Sequence, residues 1–271
     1  MIYICVPSHN AALTVGLVLW KVRQVFGEFT REYHFLVADD GSTDVTREVL
    51  EPYQRALPMS LIRHEQRLGY TASVEALFRE ALNRTDRPKR DIAVAMHADF
   101  TVSPVALPDI VRAMESGADL VVAETVDPDA TFGMRMVRRW TPWLLRPGIN
   151  VPGVQDFLSG VCAIRLATLR YCLKDSGALV ESKGVGAWPE LIARVAAVAR
   201  QISVVTVAPP EHKLAPTAVM TPFALAKELY RTGKRVRIPA PTVEVRRPSE
   251  TPRPAESEKP AEEPDAAEVE A

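Results

Sequence analysis

Three short stretches carry side chains whose types and spacing suit anion or metal chemistry. "AMHADF" (95–100) closes an apolar run, "DIAVAM" (91–96), and sets His97 and Asp99 two residues apart. "DDGSTD" (39–44) follows another apolar run and places two adjacent carboxylates, Asp39 and Asp40, before Gly41. "PSHN" (7–10) follows the first apolar run. Carboxylate oxygens can bind a hard divalent cation, and imidazole suits the softer ones or hydrogen-bonds a phosphate. Taken alone, "DDGSTD" also fits a capped turn into a helix, with Ser42 as the N-cap.

The elements that must position these residues are legible from periodicity. Strand-length apolar runs at 2–7, 33–39, 59–64, 91–96 and 119–124 alternate with helical patterns at 12–26, 42–57, 70–82 and about 104–115. This order predicts an α/β fold with a mostly parallel sheet covered on both faces. All three polar stretches then fall on the carboxyl edge of the sheet, where such folds bind ligands. Further strands are expected at 161–165 and 202–207, and a helix at 189–201.

Composition narrows the class. The 271 residues are 47% hydrophobic, enough for a sizeable core. Residues 244–271 hold nine acids and four bases, so the formal charge of -1 conceals a mildly basic body. That bias suits an anionic ligand and is too weak to imply nucleic acid. Cys5, Cys162 and Cys172 form no CxxC spacing and read as reduced structural thiols of a cytoplasmic protein. "MIYICVPSHN" enters a strand at once, without the pattern of a signal peptide. No apolar run approaches the roughly 18 residues of a membrane span. The organisation expected is a domain over 1–238 and a disordered, acidic tail over 239–271 rich in Pro, Glu and Ala. No GxGxxG, Walker A or GxSxG motif occurs, which argues against a dinucleotide dehydrogenase, a P-loop NTPase and an α/β-hydrolase. What remains is a nucleotide site built from carboxylates and loop backbone.

"PSHN", "VADDGSTD", "MHADFTVSP" and "DFLSGVCAIR", in this order, resemble the family-2 glycosyltransferases of GT-A (Rossmann-like) fold, most of all the polyprenyl-phosphate (dolichyl-phosphate) mannose and glucose synthases. The likeness runs over roughly residues 2–215. It implies an inverting hexosyltransferase that takes a sugar from a GDP-mannose- or UDP-glucose-type donor to a polyprenyl phosphate, with Mg²⁺ or Mn²⁺ as cofactor. Pro7, Ser8, His9, Asn10, Asp39, Asp40 and His97 become the expected nucleotide-binding residues. Ala11 stands where the family often has Glu. "HAD" lies where the family has its D-x-D metal motif, so Asp99 is the expected catalytic and metal residue, with His97 and Thr101 as further ligands. The reading is a weakened metal site still in use; a metal-independent site is the alternative.

On the acceptor side the resemblance implies roles for Asp156 and Ser159, and the basic stretch 134–150 offers Arg138 and Arg139 as candidates for the acceptor phosphate. Asp156 is the candidate general base for a hydroxyl acceptor, whereas an ionised phosphate needs little base. "MRMVRRWTPWLLRPGIN" (134–150) interleaves arginines with Trp140 and Trp143 as interfacial helices do, which fits peripheral contact with the inner membrane face; an ordinary helix packed on the sheet is the alternative. "PFALAKELYRTGKRVRIP" (222–239) reads as a helix closing the domain, and His212 and Lys213 as a loop near the pyrophosphate. Competing readings are transfer to a glycan or glycolipid hydroxyl and a non-catalytic sugar-nucleotide-binding protein.

Overall fold

The computed structural model describes residues 1–100, 102–125, 130–173, 177–207, 220–243 and 245–247. Thr101, His212, Lys213 and residues 248–271 lie outside the described residues.

Among the described residues eight strands form one sheet: β1 (Ile2–Ser8), β2 (Tyr33–Asp40), β3 (Met59–His64), β4 (Ile92–Ala95), β5 (Leu120–Thr125), β6 (Cys162–Arg165), β7 (Ile202–Val207) and β8 (Val245–Arg246). Their spatial order is β3-β2-β1-β4-β6-β5-β7-β8. All neighbours run parallel except β6, which is antiparallel to both β4 and β5. The register places Ser8 beside Asp39, and Asp40 beside His64, so the ends of the first strands form one edge.

The side-chain period of two divides the core between the two faces. Ile4, Val6, Phe35 and Val37 pack under α1 (Val15–Glu28), α2 (Thr46–Ala56) and α4 (Leu107–Glu115). Tyr3, Cys5, Leu36 and Ala38 pack under α3 (Tyr70–Arg84), α6 (Leu166–Cys172) and α7 (Ala187–Ala196). Leu145 of α5 (Phe132–Leu145) and Leu225 and Leu229 of α8 (Pro222–Arg235) extend this second face. Cys5 and Cys162 are buried in strands, and burial pushes the Cys162 thiol up to about 12. Both are inert packing groups, as the sequence indicated.

Two expectations need correction. Ser42 does not cap α2, which begins four residues later at Thr46. Asp44 holds that terminus instead, accepting the Thr46 backbone N–H at 3.0 Å, while Ser42 Oγ accepts the Asn10 backbone N–H at 3.0 Å. The Ser42 hydroxyl is therefore committed to the neighbouring loop. The boundary expected at 238 also falls short. Val245 and Arg246 pair with β7, and Arg247 reaches the buried Glu124 carboxylate at 3.1 Å. A buried carboxylate needs a cationic partner, and this segment supplies it.

Candidate active site

The carboxyl ends of β1, β2 and β4 open into a cleft lined by residues 7–11, Thr14, Asp40, Arg67, Tyr70, Ser73 and His97–Asp99. Of the sequence-predicted residues, Pro7, Ser8, His9, Asn10, Asp40, His97 and Asp99 are brought together here. Asp39 is buried behind the cleft, where it accepts the Ser42 backbone N–H at 3.2 Å.

The first two loops are knitted into one wall. Asn10 takes a left-handed backbone (φ 50) and its Oδ1 accepts the Thr43 N–H at 2.9 Å. Thr46 Oγ1 accepts the Ala11 N–H at 2.9 Å. His9 Nδ1 donates to the Asp40 carbonyl at 2.8 Å.

Asp40 is held by three donors. Its Oδ1 accepts from His64 Nδ1 at 2.9 Å and from the Leu68 N–H at 2.8 Å, and its Oδ2 accepts the Gly69 N–H at 2.8 Å. Burial alone would raise its pKa, but the hydrogen bonds from His64, Leu68 and Gly69 outweigh it and hold the carboxyl below its ordinary value. Gly41 (φ +61) completes this device, because a Cβ there would lie 2.6 Å from the Arg67 backbone nitrogen. Asp40 and Gly41 thus fix the 65–69 loop, and that loop carries Arg67 to the cleft. Sequence reasoning missed Arg67. The available signal was a base in the short loop between a strand end and a helix start.

The "HAD" residues differ from the expectation in one respect. Trp188 Nε1–H donates to His97 Nε2 at 3.0 Å. An indole is a donor only, so Nε2 is the unprotonated nitrogen and the proton of the neutral ring sits on Nδ1. Neither nitrogen then offers a lone pair to a cation, and the assignment of His97 as a metal ligand is corrected. The ring stacks on Tyr70 at 5.0 Å, and Gly160 (φ +77) lies so close that a Cβ would meet His97 Cδ2. Burial lowers the His97 pKa, against the pull of the Asp99 carboxylate, and keeps the ring neutral at pH 7. Tyr70 and Trp188, both missed in the sequence, form the back of the site; their signal was an aromatic at each of two helix starts.

Among the described residues no cluster of three His, Cys, Asp or Glu side chains could hold a metal by itself. Asp99 remains the one carboxylate of "HAD" on the cleft wall. A single carboxylate fits Mg²⁺ or Mn²⁺ when substrate phosphates and water complete the shell.

Of the residues expected on the acceptor side, Asp156 and Arg138 meet at the end of β5. Asp156 is buried and fully engaged: Oδ1 accepts the Leu158 N–H at 2.8 Å, and Oδ2 accepts the Thr125 N–H at 3.1 Å and Arg138 at 3.4 Å. Arg138 faces inward from α5, whereas Arg139 is exposed. Ser159 is buried, and its Oγ accepts the Val161 N–H at 3.4 Å. Glu124, another missed residue, receives the Gln155 N–H at 2.5 Å and the Arg247 guanidinium. The start of the 153–160 loop is thereby held to β5.

A mostly parallel sheet with one antiparallel strand after the fourth, and a cleft on the first, second and fourth strand ends, is the GT-A architecture of nucleotide-sugar transferases. Residues 3–170 match the profile of Glycosyl transferase family 2, and the chain belongs to that family. It is 27% identical over 193 residues to the polyprenol monophosphomannose synthase of Mycolicibacterium smegmatis, covering 67% of this chain and 66% of that one. It is 29% identical over 90 residues to the dolichol-phosphate mannosyltransferase of Pyrococcus furiosus, covering 33% of this chain and 24% of that one. The chain thus spans less than two thirds of either relative. Glucosyl-3-phosphoglycerate synthase from Mycobacterium tuberculosis, solved with Mn²⁺, UDP and phosphoglyceric acid, shares the fold at a TM-score of 0.59. That match has 19% identity and covers 87% of this chain and 79% of that one.

Proposed function

We propose that the chain transfers a sugar, with inversion, from a nucleotide-sugar donor to a polyprenyl phosphate at a membrane face. The observation that carries this reading is the state of Asp156. Its oxygens are taken up by two backbone N–H groups and Arg138, so it is poorly placed to remove a proton from a hydroxyl. A phosphate monoester brings an oxygen that is already ionised at pH 7 and needs no base. The names of the two curated relatives support the same acceptor class.

In this reaction an acceptor phosphate oxygen forms a bond to the anomeric carbon. The bond from that carbon to the donor's diphosphate breaks, and the electron pair leaves with the nucleoside diphosphate. The loop of residues 7–11 and Arg67 line the donor cleft, and Arg67 offsets phosphate charge. His97 Nδ1–H is a hydrogen-bond donor suited to a phosphate oxygen. Asp99 would hold the divalent cation, which neutralises the departing diphosphate when bound. Asp156 and Arg138 set the floor on which the acceptor is oriented.

The test is transfer from GDP-mannose and UDP-glucose to a short-chain polyprenyl phosphate in detergent, with Mg²⁺ or Mn²⁺. A lipid-linked phosphodiester product is expected. Transfer only to a sugar hydroxyl would move the acceptor to the glycan class. Donor binding with neither transfer nor hydrolysis would leave a binding protein.

A further inference from the structure

The exposed faces of α5 and α8 form one surface that the donor and acceptor clusters leave unused. The two helices run side by side in the same direction. Gly133, at the start of α5, abuts Pro222, at the start of α8, with a would-be Cβ 3.1 Å from the proline ring. Gly233, near the end of α8, lies against the Leu145 backbone at the end of α5, with a would-be Cβ 2.6 Å from the Leu145 carbonyl. The Ile238 N–H donates to the Gly148 carbonyl at 2.9 Å and locks the far end. Each helix has 14 residues, so the pair makes a plate about 20 Å long.

Its outer face is apolar and aromatic. On α5 the exposed apolar residues are Phe132 (73% exposed), Met136, Trp140 and Trp143 (60%), spaced to share one side of the helix. On α8 Phe223 (79%) and Tyr230 do the same. The helix starts bring Phe132 and Phe223 to one end of the plate. Trp140 and Trp143, in edge contact at 5.8 Å, occupy the other half with Tyr230. Bases are interspersed on this face: Arg135, Arg139 and Arg146 on and beside α5, and Lys227, Arg231 and Lys234 on α8. No acid falls within α5, and α8 has only Glu228.

We infer that the α5–α8 plate is a docking surface for an anionic lipid bilayer, with the aromatics at headgroup depth and the bases on lipid phosphates. Charge complementarity chooses this occupant. A surface with these six bases and one acid repels a second copy of itself, whereas it attracts an anionic membrane. Trp, Tyr and Arg are the residues that sit at a bilayer interface. The sequence singled out residues 134–150 and treated 222–239 as a closing helix. The structure makes α8 half of the same face. Because Arg138 on the inner side of α5 reaches Asp156, the plate is joined to the acceptor cluster. The inference deepens the polyprenyl-phosphate reading, since it says how the site meets a lipid-borne acceptor.

The experiment is co-sedimentation of the full chain with phosphatidylglycerol–phosphatidylcholine vesicles and with pure phosphatidylcholine vesicles. Binding to the anionic vesicles, weakened by salt near about 0.5 M, is expected. Phe223→Glu with Trp143→Glu should reduce the bound fraction about tenfold or more while circular dichroism stays unchanged. Transfer to the short-chain acceptor in detergent should persist in that variant. Equal binding of variant and wild type, or no wild-type binding, overturns the plate. So does a dimer in solution that the double variant dissociates, which would make the face a self-interface. If the wild type binds vesicles but transfers nothing to a polyprenyl phosphate, the plate stands and the acceptor reading fails instead.

Discussion

The indole N–H of Trp188 donates to His97 Nε2 at 3.0 Å, and this one bond determines which nitrogen of the histidine carries the proton. At neutral pH, ¹⁵N NMR should therefore show a protonated Nδ1 and a bare Nε2 for His97. A protonated Nε2 would refute the assignment. Trp188→Phe should cost about 1–2 kcal/mol in denaturant unfolding, because a buried acceptor is left unsatisfied.

Asp99→Ala should weaken Mn²⁺-dependent donor binding at least about tenfold, roughly 1.4 kcal/mol, without a change in fold. Calorimetric titration of UDP-glucose and GDP-mannose with and without Mn²⁺ reads this directly. Unaltered metal dependence in the variant would remove Asp99 from cation binding.

Asp40→Asn should destabilise the protein by about 2–3 kcal/mol, since an amide cannot accept from all three donors. The pH dependence has a definite sign. Asp40 has a folded pKa below its ordinary value, so its contribution is complete above about pH 4–5. It should decline as pH falls through the folded pKa. Urea unfolding between pH 3 and 6 should show a steeper acid loss for wild type than for Asp40→Asn. Parallel curves would show that the carboxylate does not stabilise the loop.

Arg138 and Asp156 should couple in a double-mutant cycle by about 1 kcal/mol, since the pair is only partly shielded from water. In transfer assays, Arg138→Ala should raise KM for the phosphate acceptor more than it lowers kcat. The reverse pattern would move Arg138 into the chemical step.

A chain stopped after Arg247 should melt close to the full-length protein. One stopped after Val243 should melt about 4–8 °C lower, having lost the β8 pairing and the Arg247–Glu124 contact, worth about 2 kcal/mol. Scanning calorimetry on the two truncations separates them, and equal melting points would show that β8 adds nothing.

The strands and most helices were legible because each half-buried element repeats its apolar residues at its own period. The cleft was legible because polar residues crowd three strand ends that a parallel sheet must bring together. What periodicity cannot carry is partnership across the chain. Nothing in "DDGSTD" announces that the Leu68 and Gly69 N–H groups bond to Asp40. His97 looked like a ligand because Trp188 lies ninety-one residues away. β8 was invisible because two residues in a Pro-rich stretch show no period at all.

The lock formed by Asp40 and Gly41 has a consequence for how such motifs are detected. Its carboxylate and its bare α-carbon hold the 65–69 loop, so the letters D and G report intact architecture. A chain that had lost every contact to a sugar nucleotide would still draw stability from them. A search keyed to that stretch therefore recognises the scaffold equally well in working and retired copies. Positions 67 and 99, on the cleft wall outside that stretch, are the ones to compare between such copies.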